Sequence, residues 1–110
     1  MPYCPEKYDV IWIDFDPQTG REQAHRRPAF VLSPARYNAK ARLCLLCPIT
    51  NQEKGYPFEV NVPGGHKTSG VVLSDQIKSL DWSARNAAFI ESRPDFAGEV
   101  LAKMRAILGI

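Results

Sequence analysis

The chain has 110 residues, 45% hydrophobic and 24% charged, a length for one domain and a composition that excludes wholesale disorder. Its longest uncharged apolar run covers residues 43–49, far short of the roughly 20 residues that cross a bilayer as a helix. Lys and Arg number 14 against 12 Asp and Glu, a formal charge of +2, too small by itself to mark a nucleic-acid binder.

Residues 8–15 (YDVIWIDF) are rich in β-branched and aromatic side chains and stop at Asp16-Pro17, as a strand does before a turn. The polar stretch 16–25 (DPQTGREQAH) reads as an exposed loop. A second strand, 28–33, is apolar on both faces, and 35–41 has room for one helical turn. Residues 43–50 form a third strand. After the turn at 51–57, residues 58–62 (FEVNV) alternate as a half-buried strand should. Further strand-like pieces lie at 71–73, 76–82 and 87–90. Short strands separated by turn signals predict a closed or nearly closed antiparallel barrel.

The C-terminal part changes period. Phe96, Val100, Leu101, Met104, Ile107 and Leu108 fall on one face of a helix. Ser92 with Asp95 three residues later resembles a capping box, and Pro94 suits a first turn. The expected fold is therefore mainly β with a C-terminal helix, as a single domain over residues 1–110. The apolar strands at 29–32 and 43–47 exceed what one small barrel buries alone, which predicts a homodimer.

Charge is spread unevenly. Up to residue 16 there are four acids and one base, whereas residues 21–42 hold Arg21, Arg26, Arg27, Arg36, Lys40 and Arg42 against Glu22 alone. This local excess suits a polyanion, although a solvated basic surface has the same composition. The first twenty residues carry Glu6, Asp9, Asp14 and Asp16 and no apolar leader, so a cytoplasmic protein is expected, with no membrane involvement. Cys4, Cys44 and Cys47 are an odd number, consistent with a reducing compartment. Cys44 and Cys47 are spaced C-x-x-C, but in a strand residues three apart point to opposite faces. They read as small buried apolar residues rather than metal ligands.

No P-loop, H-E-x-x-H or G-x-S-x-G is present, and the two histidines, His25 and His66, sit in separate polar stretches. What stands out is Glu22, Gln23, His25, Arg26 and Arg27 immediately before a buried strand, with Thr50 ending another. Strand ends at a barrel rim are common places for a site. A guanidinium offers a planar fork of donors to phosphate oxygens and stays charged.

Three co-linear stretches, VIWIDFDPQTGREQAHRRPAFVLSP (10–34), CPITNQEKGYPFEV (47–60) and GVVLSDQIKSLDWSAR (70–85), together resemble the MazF/PemK family of toxin endoribonucleases. The resemblance implies a small SH3-like barrel (the CcdB/PemK-like toxin fold) and a homodimer. It also implies metal-independent, cofactor-free cleavage of single-stranded RNA at short sequences. A cognate antitoxin with an acidic, disordered tail is the implied inhibitor. The family's arginine before proline corresponds to Arg27-Pro28, its threonine to Thr50 in Pro48-Ile49-Thr50, and its G-x-E-Q to Gly20-Arg21-Glu22-Gln23. Its D-Q-x-[KR]-[ST] corresponds to Asp75-Gln76-Ile77-Lys78-Ser79. Implied catalytic residues are Arg27, Thr50 and Glu22. Implied RNA contacts are Asp16, Gln23, His25, Arg26, Lys54, Gln76, Lys78, Ser79 and Arg85. The chain departs from the family at Ala24-His25-Arg26-Arg27-Pro28, where relatives often read G-x-R-P or G-H-R-P, and this adds charge beside the RNA groove.

Two other readings compete. The CcdB gyrase poisons share the fold and act by gripping a protein, with no need for an Arg27 and Thr50 pair. A non-catalytic RNA module would stack bases on aromatics, but Trp12, Phe15, Tyr56 and Trp82 are expected in the core.

Overall fold

The computed structural model describes residues 2–15 and 26–110. Seven strands, β1 (Asp9–Asp14), β2 (Arg26–Val31), β3 (Leu43–Thr50), β4 (Glu59–Asn61), β5 (Val71–Leu73), β6 (Lys78–Asp81) and β7 (Ala88–Ser92), are joined with two helices, α1 (Ala35–Ala41) and α2 (Ala97–Leu108). All described strand pairs are antiparallel, in the order β4-β5-β3-β2-β1-β7, with β6 also on β3. No described pairing joins the two ends of this order, so the barrel is open rather than closed.

β3 makes the curvature. One edge pairs with β2, while the other pairs first with β6 (Leu43 to Leu46) and then with β5 (Ile49 and Thr50). Strands that change sheets in this way form barrel corners. Pro48 has no N–H to give a ladder, and it falls where β3 leaves β6 and takes up β5. The hand-over costs no hydrogen bond there.

Alternation along the strands splits the core in two. Val10, Phe30, Cys47, Ile49, Val60 and Val72 pack beneath Phe96, Ala97, Val100 and Met104 of the C-terminal segment. Ile11, Ile13, Ala29, Val31, Cys44 and Leu46 face the other way, under Trp82. Cys44 and Cys47 are thus buried on opposite faces, and no group of three metal-ligating side chains forms among the described residues. Asn38 of α1 is fully buried. Its amide donates to the carbonyls of Pro5 (2.8 Å) and Ser33 (2.9 Å), while Trp82 Nε1 donates to its carbonyl (3.0 Å). α1 has seven residues, closer to two turns than the single turn expected.

Three sequence expectations are corrected here. Ser92 does not cap the C-terminal helix: it is drawn into β7 opposite Asp9, and no side chain caps Pro94–Phe96 or α2. Asp95 instead pairs with the buried Arg93 (3.0 Å), which also meets Glu91 (3.2 Å). Those hydrogen bonds hold the Asp95 carboxyl below its ordinary range. Secondly, Ala29, Phe30 and Val31 are already fully buried within one chain, so they supply no surplus for a dimer. In the other stretch, 43–47, Leu45 does stay exposed, and Trp12 and Phe89 outside both stretches are exposed as well. Thirdly, Trp82 and Phe15 do pack in the core as expected, but Trp12 and Tyr56 do not. No helix among the described residues is long and apolar enough to cross a membrane.

Candidate active site

Arg27 and Thr50 come together because of strand register. Ala29 lies opposite Pro48, and the same antiparallel register continued by two residues sets Arg27 opposite Thr50. On its other side Arg27 pairs with Ile13 of β1, and Thr50 pairs with Val71 of β5. The two side chains therefore stand at strand ends on a rigid support, with Arg27 exposed and Thr50 half-buried. The amide of Gln52 donates to Thr50 Oγ1 (3.1 Å). One lone pair of the hydroxyl is thereby occupied, and its hydrogen is directed elsewhere.

Three clefts of about 370, 250 and 200 Å³ meet at Arg27. The largest also contains Thr50, Lys54, Tyr56, Asp75 and Gln76. The second runs past Thr50, Asn51 and Gln52, and the third past Phe15, Gln76 and Lys78. A guanidinium at such a crossing reaches the backbone of any strand that passes from one cleft to another. Glu59 shapes the first cleft by accepting from the amides of Lys54 (3.2 Å) and Gly55 (2.9 Å). This closes the turn that presents Lys54 and Tyr56.

Gly70 sets how closely β5 approaches. Its φ of +110° lies in the region that favours glycine, and a Cβ there would collide with the carbonyl oxygen of Thr50 and lie 2.9 Å from Asn51 Oδ1. The neighbouring Ser69 hydroxyl donates to that same Asn51 oxygen (3.1 Å). Gly70→Ala should therefore displace the Thr50 backbone and lower stability by about 1–3 kcal/mol. Denaturant titration checks this, and unchanged stability would show that the close approach tolerates a methyl group.

Of the other sequence candidates, Lys54, Gln76 and Lys78 line the clefts. Ser79 is exposed on β6 opposite Leu45 and lines none of the three. Arg26 sits directly across from Asp14 and is ion-paired with it (3.1 Å). Asn86 donates to the other oxygen of that carboxylate (2.8 Å), and this bond first, with the Arg26 charge, holds the Asp14 carboxyl below its usual range. Arg85 donates to the carbonyls of Asp14 (3.2 Å) and Phe15, so its guanidinium holds the end of β1. Asp16, Glu22, Gln23 and His25 lie outside the described residues. Tyr56, which the sequence suggests as a core aromatic, and Asp75, which it shows only within a motif, also line the largest of the three clefts. The available signal was the setting of Tyr56 between Gly55 and Pro57, where a turn presents an aromatic outward.

Comparison with known proteins gives a consistent picture. The family described as PemK-like, MazF-like toxin of type II toxin-antitoxin system matches residues 6–108. The endoribonuclease toxin MazF of Escherichia coli K12 is 48% identical over 108 residues, covering 97% of this chain and 96% of that one. Among solved structures, MazF from Deinococcus radiodurans superposes with a TM-score of 0.88 at 46% identity, covering 99% of this chain and 100% of that one. A MazE-MazF structure from the same organism gives 0.86 at 44% identity, with 99% of each chain covered. The open antiparallel barrel with its C-terminal helix is thus shared along nearly the whole chain, which belongs to the PemK-like, MazF-like toxins of type II toxin–antitoxin systems.

Proposed function

We propose that this chain is an endoribonuclease toxin that cuts single-stranded RNA at a short sequence, without a metal, and is held inactive by a cognate antitoxin. The observation that carries the reading is the placement of Arg27 beside Thr50 where three clefts meet, in a chain whose relative in E. coli is an endoribonuclease toxin. A purely gyrase-binding role, as in CcdB, is not favoured, because the relatives are endoribonucleases.

RNA carries its own nucleophile, the 2′-hydroxyl next to each phosphate. The protein's task is to align that hydroxyl and to stabilise the extra negative charge at phosphorus. Arg27 spans non-bridging oxygens with its fork, and Thr50, with its lone pair held by Gln52, donates a hydrogen bond to one of them. An arginine is a poor acid at neutral pH, so proton transfer falls to Glu22, His25 or water. Lys54, Gln76 and Lys78 track the backbone, and Asp16, Gln23, Arg26, Ser79 and Arg85 border the path.

A second copy of the chain covers the exposed Trp12, Leu45 and Phe89 in a homodimer. The acidic tail of the antitoxin takes the basic rim by charge attraction, which salt weakens. D. radiodurans MazF is known bound to MazE, the precedent for such a partner. To test the reading, the protein is incubated in EDTA with a long RNA and the new 5′ ends are mapped. Cuts confined to a recurring short sequence, each leaving a 5′-hydroxyl, are expected. Intact RNA, or cutting that requires a divalent ion, would overturn it.

A further inference from the structure

Of the basic residues that crowd positions 21–42, Arg36, Lys40 and Arg42 line none of the three clefts. Arg36 and Lys40 stand four residues apart on one face of α1, and both are exposed. Arg42 follows as the cap of that helix, also exposed, with its guanidinium 5.9 Å from the Trp82 ring centroid. The described ion pairs, all on Arg26 and Arg93, leave these three cations out. The carboxylates beside them are engaged by backbone amides. Glu6 accepts from Lys7 (2.7 Å) and Ala35 (2.9 Å), and Asp81 from Ser83 (3.1 Å) and Ala84 (2.9 Å).

Helix chemistry does not account for this set. Cations suit the last turn of a helix, where Lys40 and Arg42 lie, but not the first, where Arg36 lies. Arg42 also sits at φ +61°, in the left-handed region that a helix end normally gives to glycine or asparagine. A cation is thus kept where the backbone disfavours it. Next to Arg36 the helix exposes Tyr37, 43% accessible. Cations interleaved with an exposed aromatic match a single-stranded nucleic acid, whose phosphates meet the charges while a base stacks on the ring. An acidic peptide has use for the cations but brings no base to the ring.

The patch lies within reach of the reaction site. Lys78 lines the third cleft with Arg27 and Phe15. It pairs with Leu46 at one end of the β3–β6 ladder, whose other end is Leu43 with Asp81. Arg42 precedes Leu46 by four residues, about 13 Å along an extended chain. Between them lies the layer that contains Phe15, Leu80 and Trp82, and Trp82 carries Arg42. We propose that α1 and its cap form an exosite for the flank of the RNA. Arg36, Lys40 and Arg42 meet phosphates several nucleotides from the cut, and Tyr37 takes a base, with no part in choosing the cut sequence. A strand lying on both this surface and the clefts falls within the roughly 4–16 nucleotides that single-strand platforms hold. The inference rests on the endoribonuclease reading above.

Anisotropy titrations over a range of salt test this with RNAs that bear one mapped cut. One is a minimal strand, and two are extended by about ten nucleotides on the 5′ or the 3′ side. A single deoxyribose on the 5′ side of the cut keeps them intact. For wild type, one of the two extensions should tighten binding about tenfold or more at low salt. It should also steepen the slope of log affinity against log salt by about 2, since each single-strand phosphate met adds about 0.7. With Arg36→Gln, Lys40→Gln and Arg42→Gln combined, both gains should vanish. That variant should bind the minimal RNA, and cleave its all-ribose form, within about twofold of wild type, which also shows it to be folded. Arg42→Gly puts glycine at the left-handed position, so backbone strain cannot explain its effect, and it should remove about 0.7 of the slope. Tyr37→Ala should weaken the extended RNA about fivefold or more with the slope unchanged. Equal affinity of wild type for minimal and extended RNAs overturns the exosite. So does a triple variant that keeps the gain, whether or not it loses its hold on an acidic antitoxin peptide. If wild type cuts no RNA, the endoribonuclease reading falls and takes the exosite with it, so the two failures are distinguishable.

Discussion

Arg27→Ala should lower the cleavage rate at saturating RNA by about 10²–10³-fold, the usual loss when one preorganised donor to a developing oxyanion is removed. RNA affinity should fall much less, by about tenfold at most. The reason is differential: the guanidinium meets one negative charge in the bound phosphate and more than one in the phosphorane, so its contribution grows along the reaction. Arg27→Lys keeps the charge and loses the fork, and should recover only part of the rate. Thr50→Ala should follow the same pattern with a smaller loss, while Thr50→Ser restores most of it. Single-turnover kinetics at saturating RNA, beside an anisotropy titration, separate the two quantities. Equal rates for Arg27→Ala and wild type would remove Arg27 from the chemistry.

Replacing one ribose by deoxyribose, on the 5′ side of the scissile bond, should abolish cleavage while binding changes by less than about twofold. Only the nucleophile has gone, and the phosphate contacts that dominate affinity remain. The products from all-ribose RNA should be a 2′,3′-cyclic phosphate, or the 3′-phosphate from its opening, and a 5′-hydroxyl. Mass spectrometry of both fragments decides the matter. Ready cutting of the deoxy-substituted strand, or a 5′-phosphate on the product, would mean that a water molecule attacks instead.

Where sequence reading succeeded, one physical signal was unopposed. β3 (Leu43–Thr50) and β5 (Val71–Leu73) have the expected bounds because turn residues flank uninterrupted apolar runs. The opposed facing of Cys44 and Cys47 followed from strand period alone. It failed where a long-range partner outbid a local one. Ser92 has a local role as a cap, but β1 offers it a strand partner in Asp9, and Arg93 takes Asp95. Tyr56 looks like a core aromatic until Glu59 closes the turn that carries it outward. That the barrel, expected as closed or nearly closed, is left open rests on pairing between remote strands, which no local pattern specifies. For the site, the motifs gave Arg27 and Thr50 by resemblance, but only register explains why residues 23 apart in sequence adjoin. The engagement of Arg26 by Asp14 and of Arg85 by backbone carbonyls was invisible, since a basic residue reads the same whether its partner is RNA or its own chain.

The division of the core by a single sheet gives the molecule two internal clocks. Cys44 and Cys47 are three residues apart along a strand, a separation of about 10 Å at about 3.3 Å per residue, and they face different layers, so no disulfide joins them while the strand is intact. Burial pushes each thiol up to about 12, leaving almost no reactive thiolate near neutrality. A thiol reagent therefore modifies either cysteine only when its own layer has opened. The rate at Cys47 times the lifting of the C-terminal helix from the sheet, and the rate at Cys44 times the loosening of the layer under Trp82. One labelling experiment on the unaltered chain would show whether the two halves come apart together or in sequence.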